Sequence, residues 1–251
     1  MSGLPSGFVW SFSKMALFMD CPYAFYLRYI VHAMDDTGME NAFGQYGTLG
    51  HKLIEEWAKG QLAAQDMAKE WDERYPKYIT ASFPPFPKDM PLKSYQAGLE
   101  YFKNFNGFGD IEILEVEEKF SMQLGVHTFR GIADLIYREN DTGKLVIMDH
   151  KSKSAASMKK EFSTYKQQLY LYAAHVMERF GQYPDVLKFN MFKAGTMIDV
   201  SFDMKEYENA LKWAMDIIDE AYMTDEWEAH FNSYRCSFIC DMRDECDVTG
   251  G

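Results

Sequence analysis

GIADLIYRENDTGKLVIMDHKSKS, residues 131–154, reads as two strands joined by a turn. Apolar and β-branched residues fill Ile132–Tyr137 and Leu145–Met148, and Glu-Asn-Asp-Thr-Gly at 139–143 supplies the turn formers between them. A hairpin turned between Asp141 and Thr142 sets Asp134 directly opposite Asp149, with Cβ atoms about 5 Å apart. Lys151 lies two residues beyond Asp149 and so projects from the same face. Facing carboxylates repel unless a cation sits between them. Two carboxylates and an ammonium on one face therefore suit a hard divalent ion and an anionic substrate. A single bulge in either strand slips that register and leaves ordinary exposed acids. These residues alone leave both readings open.

Outward from the hairpin the period of the apolar residues changes twice. Ile111 to Leu124 and His127 to Arg138 read as strands, which with 145–151 make a three-strand meander. Upstream, 11–32 reads as one helix capped by Ser11 or Ser13. Gly44 and Gly47 close a loop, and Thr48 caps a second helix through Leu53, Ile54, Trp57 and Leu62. Five of the eight prolines fall between Pro76 and Pro91, marking a connection, and Leu92 to Phe105 is helical again. Downstream come a helix at 161–180, short strands at 186–192 and 197–202, and a helix at about 204–223. This order suits an α/β or α+β protein with helices packed on a sheet.

The chain of 251 residues fits one domain. About 1–107 would be mainly helical, 108–223 the sheet core and 224–251 a cysteine-bearing tail. Hydrophobic content of 47% and charged content of 25% exclude a disordered or collagen-like chain. No apolar run approaches the roughly 18 residues of a membrane span, and Met1 to Trp10 lacks a secretory signal pattern. A cytoplasmic protein without a membrane partner is expected.

The net charge of −12 is the wrong sign for coating nucleic acid non-specifically. It is unevenly spread. Asp199 to Glu228 carries ten acidic residues against Lys205 and Lys212, whereas Lys151, Lys153, Lys159, Lys160 and Lys166 are opposed only by Glu161. A polyanion could bind near this stretch, with Lys153, Lys159 and Lys160 as the candidate contacts, set against the plainer reading of a solvated loop. Cys21, Cys236, Cys240 and Cys246 account for all four cysteines. Three within one short tail argue for metal over disulfides in a cytosolic protein.

Two further patterns flank the hairpin. GTLGHKLIEEW places His51 on a helix with Glu55 one turn on, and YKQQLYLYAA places Gln168 and Tyr172 one turn apart. With Asp134 in GIADLIY and Asp149-x-Lys151 in VIMDHKSKS, the ordered set resembles the RecB-type branch of the PD-(D/E)xK nucleases. That branch includes nuclease domains of helicase–nuclease repair complexes and CRISPR adaptation exonucleases. The family's short "PD" stands here as Ala133-Asp134.

The resemblance implies a restriction-endonuclease-like mixed central sheet flanked by helices. It implies a metal-dependent DNA exonuclease acting on single strands or duplex ends, in recombination, repair or phage or CRISPR DNA processing. His51, Asp134, Asp149 and the backbone carbonyl of His150 would bind Mg²⁺ or Mn²⁺. Lys151 would hold the attacking water or steady charge on the phosphate. Gln168 and Tyr172 would position the DNA backbone or the lysine, and Glu55 and Glu117 are outer candidates. Some members of the branch carry a [4Fe–4S] cluster on one cysteine before the core and three after it, which is the layout of Cys21, Cys236, Cys240 and Cys246. Three residues separate Cys236 from Cys240, where the family's close pair has two, leaving structural Zn²⁺ as the alternative. Any helicase or recombination partner would be another chain. A non-catalytic DNA-end-binding protein and a redox-sensing iron–sulfur protein on the same fold are the competing readings.

Overall fold

The computed structural model describes residues 3–33 and 41–248. Helices α1 (Phe12–Asp20) and α2 (Pro22–Tyr29) lead to α3 (Ala42–Ala58), α4 (Met67–Tyr78) and α5 (Met90–Asn104). Strands β1 (Ile111–Leu124), β2 (His127–Glu139) and β3 (Leu145–His150) precede α6 (Ala155–Phe180). Strands β4 (Val186–Met191) and β5 (Thr196–Ser201), α7 (Met204–Met223) and the short α8 (Ser233–Phe238) complete the order.

The five strands form one mixed sheet in the order β1-β2-β3-β4-β5. β2 and β3 are antiparallel, with Leu135 against Met148 and Arg138 against Leu145. β3 and β4 are parallel, which requires a long crossover, and α6 provides it. β5 returns antiparallel to β4. Every residue of β3 is buried, as a strand covered on both faces must be. This is the mixed α/β sheet flanked by helices that the sequence predicts.

The chain divides into two compact units. One comprises Ala42–Phe120 and Ile132–Tyr207; the other comprises Met1–Asn41, Ser121–Gly131 and Glu208–Gly251. In the first, Tyr46, Leu49, Leu53 and Ile54 of α3 pack with Trp71, Phe102 and Phe192. Two glycines permit that packing. A Cβ on Gly50 would lie 2.4 Å from the Phe192 ring, and one on Gly98 would lie 2.1 Å from Trp71. Overpacking of this kind costs about 1–3 kcal/mol.

The second unit is built on aromatic contacts. Phe25 stacks between Trp10 and Trp227, each at a ring separation of 5.8 Å. Trp10 is also tied to the backbone of β2, its N–H donating to Thr128 O and its C=O accepting from Arg130 N, both at 2.8 Å.

Local structure departs from the sequence reading in that α4 and α8 lie where no helix is expected, and in four further places. The single helix expected over 11–32 is broken at Cys21, which is extended (φ −162°, ψ 99°) because Pro22 disfavours helical backbone before it. The loop expected at Gly44 and Gly47 is helix, since α3 starts at Ala42 and its buried apolar face outweighs the cost of interior glycines. The connection expected from Pro76 starts after Tyr78, with Pro76 taken up near the end of α4. The helix expected from 161 starts at Ala155, where the Ser154 hydroxyl accepts from Ser157 N at 3.2 Å.

Candidate active site

The first unit gathers its polar side chains at the ends of β2 and β3. The observed register carries Leu135 against Met148, so Asp134 and Asp149 are the next residues of their strands. The Asp134 Oδ2 accepts from the N–H of His150 at 2.7 Å, which locks the carboxylate to the neighbouring strand. The middle of α3 supplies His51. Its Nε2 lies 2.8 Å from the carbonyl oxygen of His150, so this nitrogen carries the proton and donates. The other ring nitrogen, Nδ1, is turned toward Asp134 Oδ2 at 3.6 Å and Glu117 Oε1 at 3.8 Å.

Glu117 reaches this point by an unusual backbone. It has φ +52° within β1, a conformation that costs a residue with a Cβ about 1–3 kcal/mol. Ligand atoms of His51, Glu117 and Asp134 all lie within 4.8 Å of one another, a spacing that one cation can bridge. Burial lifts the Asp134 carboxyl to about 7 against the pull of the His51 charge. Burial alone would lower the His51 imidazole, but Asp134 and then Glu117 lift it to about 9. The group thus holds protons around neutral pH that a cation would displace.

Lys151 is fixed from three sides. Its ammonium lies 2.7 Å from Asp149 Oδ2, donates to Gln168 Oε1 at 2.9 Å, and stands 4.5 Å from the centroid of the Tyr165 ring. Gln168 in turn donates through Nε2 to Tyr172 Oη at 3.2 Å. Helix α6 therefore meets the lysine through Tyr165 and Gln168, with Tyr172 behind. A cavity of about 420 Å³ shares His51 and Glu117 and is otherwise lined by Gly47, Thr48, Lys52, Glu55 and Tyr78. Glu55 stands outside the ligand group, bound to Lys52 at 3.1 Å and Lys59 at 2.6 Å.

The model of the PD-(D/E)XK nuclease superfamily matches residues 9–247. The chain belongs to this superfamily. This PD-(D/E)XK protein also resembles two solved structures in fold: SSO0001, at 16% identity over 99% of this chain and 89% of that one, with a TM-score of 0.41; and a protein from Eubacterium rectale described as a candidate exonuclease, at 12% identity over 96% and 86%, with a TM-score of 0.44. No curated protein matches the chain.

The remaining sequence-predicted residues of the nuclease are also located. Asp149 is paired with Lys151 and close enough for its charge to act on His51 and Asp134, and the His150 carbonyl is engaged by His51. Lys153 is bound to Glu161 at 2.6 Å and lies over the Tyr165 ring. Lys159 and Lys160 are exposed in the first turns of α6, not in a loop. In the second unit Cys21, Cys236, Cys240 and Cys246 line one pocket, with Ala24, Leu27 and Met242 as its apolar wall. None of the four is in a disulfide, and all are partly buried.

Tyr165 and Asn190 were not singled out from sequence. A tyrosine one turn before Gln168 reads as helix packing, and an asparagine inside a strand gives no periodic signal. Among the described residues no helix is long and apolar enough to cross a membrane.

Proposed function

We propose that the protein is a divalent-metal-dependent deoxyribonuclease that removes nucleotides from single strands or duplex ends. The observation that carries this reading is the meeting of His51 Nδ1, Glu117 and Asp134 within one cation's reach, beside the end of β3 that presents Asp149 and Lys151. The donor set, one imidazole and carboxylates, fits Mn²⁺ as well as Mg²⁺. Asp149 and the His150 carbonyl are the next groups available to it. Bound there, such an ion would neutralise phosphate oxygens and lower the pKa of water.

The chain's own residues supply the rest. Lys151 places a fixed positive charge beside the reacting phosphate, and Gln168, Tyr165 and Asp149 keep that ammonium from swinging away. The cavity beside His51 is of a size that small-ligand sites commonly have, and it is where the terminal nucleotide would lie. Lys159 and Lys160 would follow the backbone of the strand. Product analysis on end-labelled single- and double-stranded DNA with Mn²⁺, beside a chelator control, tests the reading. Mononucleotide release from ends, lost on chelation, supports it; intact substrate with metal present rejects it.

The four cysteines would hold a [4Fe–4S] cluster, with structural Zn²⁺ as the alternative. Cys₄ ligation suits either, and the shared pocket supports a common ligand. Iron and zinc analysis of anaerobically purified protein separates the two, and metal-free protein with four alkylated thiols rejects both. A strand-processing nuclease of this kind belongs with repair, recombination or phage or CRISPR DNA processing, where a helicase or recombination partner would supply any unwinding.

A further inference from the structure

Asn190 is fully buried in β4, in register with His150 of β3. A buried amide costs free energy unless its donors and acceptor are paired, whereas an apolar residue at the same sheet position would carry no such cost. Three bonds of Asn190 lie on one line between α5 and the active-site strand. Its Oδ1 accepts from Tyr101 Oη of α5 at 3.0 Å. Its Nδ2 lies 3.2 Å from His150 Nδ1. Its main-chain oxygen accepts from the N–H of Lys151 at 2.8 Å.

That Lys151 N–H and the His150 carbonyl belong to one peptide group. The same peptide is thus held on one side by Asn190 and receives the His51 Nε2 proton on the other. The His150 ring lies between Phe108, stacked at 5.8 Å, and His51, edge-on at 5.6 Å. Its placement therefore sets one wall of the His51 site. Tyr101 decides which end of the Asn190 amide faces this ring. With the tyrosine hydroxyl on Oδ1, the amide must present Nδ2, so His150 Nδ1 accepts and Nε2 carries the hydrogen.

We propose that Tyr101 and Asn190 are positioning residues that, through His150, hold His51 in the tautomer and orientation that leave Nδ1 free for a cation. The proposal rests on the metal reading of the His51 group. Outer partners of this kind orient histidine ligands, and their loss typically weakens metal binding about 10–100-fold.

The test uses the full chain and two readouts other than cleavage. Mn²⁺ affinity is measured by calorimetric titration, and the His150 tautomer by long-range ¹H–¹⁵N NMR of metal-free protein. Tyr101→Phe removes one oxygen and keeps the ring; Asn190→Ala removes the amide. Phe102→Leu, a core change on the same helix, controls for simple destabilisation. Tyr101→Phe should weaken Mn²⁺ binding about tenfold and mix the His150 tautomers, while Phe102→Leu lowers the melting temperature with both readouts unmoved. Unchanged Mn²⁺ affinity in Tyr101→Phe overturns the proposal, whether or not the tautomer moves. If Asn190→Ala fails to fold, Tyr101→Phe decides alone. Wild-type protein that takes up no Mn²⁺ overturns the metal reading itself and with it the relay, a result distinct from variants that bind like wild type.

Discussion

The carboxylate site and the cysteine pocket are assembled in opposite ways. Asp134, Asp149 and Lys151 come from two adjacent antiparallel strands, and hydrogen bonds of the sheet fix their spacing. The cysteines come from a break between two helices and from a tail whose regular structure, among the described residues, is α8 and a short turn at Arg243–Glu245. One site is set by register. The other must be closed over a long loop, and closure entropy grows with loop length. The first should hold its geometry through mutation of its own ligands, and the second should not.

The largest effect expected is on catalysis. Lys151→Ala should reduce single-turnover cleavage by about 10³-fold, the scale for losing one preorganised charge at a developing oxyanion. The fold should survive, because the β2–β3 register does not depend on the ammonium. Stability should fall as well. Asp149 is buried against Lys151, and removing either partner of a buried pair leaves the other charge uncompensated, typically a cost of about 3–5 kcal/mol. Asp149→Ala and Lys151→Ala should thus each lose activity and melt earlier than wild type. Near-wild-type cleavage by either variant at saturating Mn²⁺ would remove these strands from the active site.

For the cysteine pocket the effect should appear as loss of order. Cys21→Ala should abolish the visible absorbance and iron of anaerobic protein, and limited proteolysis should cut the segment after Asn232 at least about tenfold faster, since metal binding and local folding are coupled. Burial already raises the Cys240 thiol, so without metal it stays protonated and offers no charge to order the tail. A Cys21→Ala tail as resistant as wild type would erase the contrast between the two sites.

A pH series sharpens the comparison from the carboxylate side. The folded-state values of Asp134, about 7, and His51, about 9, are both raised above their ordinary values of 3.8 and 6.5. A raised group stabilises the fold at pH below its ordinary value and loses that contribution as pH climbs through the folded one. Metal-free protein should therefore lose stability between about pH 4 and pH 9 through these two groups. Mn²⁺ affinity should move the other way, rising with pH by up to about tenfold per unit for each proton displaced. Affinity that stays flat from pH 6 to 9 would exclude His51 and Asp134 as the ligands.

How much of this was legible in the chain follows from the same contrast. The β2–β3 hairpin could be read because its turn residues, set between two short apolar and β-branched runs, fix register within a few residues. The strand order was readable for the same reason, whereas the break at Cys21, the helical backbone through Gly47 and the start of α6 after Ser154 turned on cap geometry and close packing. Glu117 was visible only as an outer acid, since nothing in EVEEKF announces the left-handed backbone that brings it to His51. Tyr101 and Asn190 are far apart in sequence, and their meeting is a product of tertiary structure.

The smallest effect expected separates the lysines from one another. Sequence groups Lys153 with Lys159 and Lys160, but their surroundings differ. The Lys153 ammonium is bound by Glu161 and faces the Tyr165 ring, so its charge is already partly spent inside the protein. Lys159 and Lys160 are exposed on α6. Each phosphate neutralised on a single strand contributes about −0.7 to the slope of log K against log salt. Lys159→Ala combined with Lys160→Ala should therefore flatten the slope by about 1.4, and adding Lys153→Ala should change it by less than another 0.7 or so. Fluorescence anisotropy of a labelled single strand, with Ca²⁺ in place of Mn²⁺ to prevent cleavage, measures this directly. An unchanged slope in the double variant returns both lysines to the solvated surface; a full further step from Lys153 means that DNA displaces Glu161 from it.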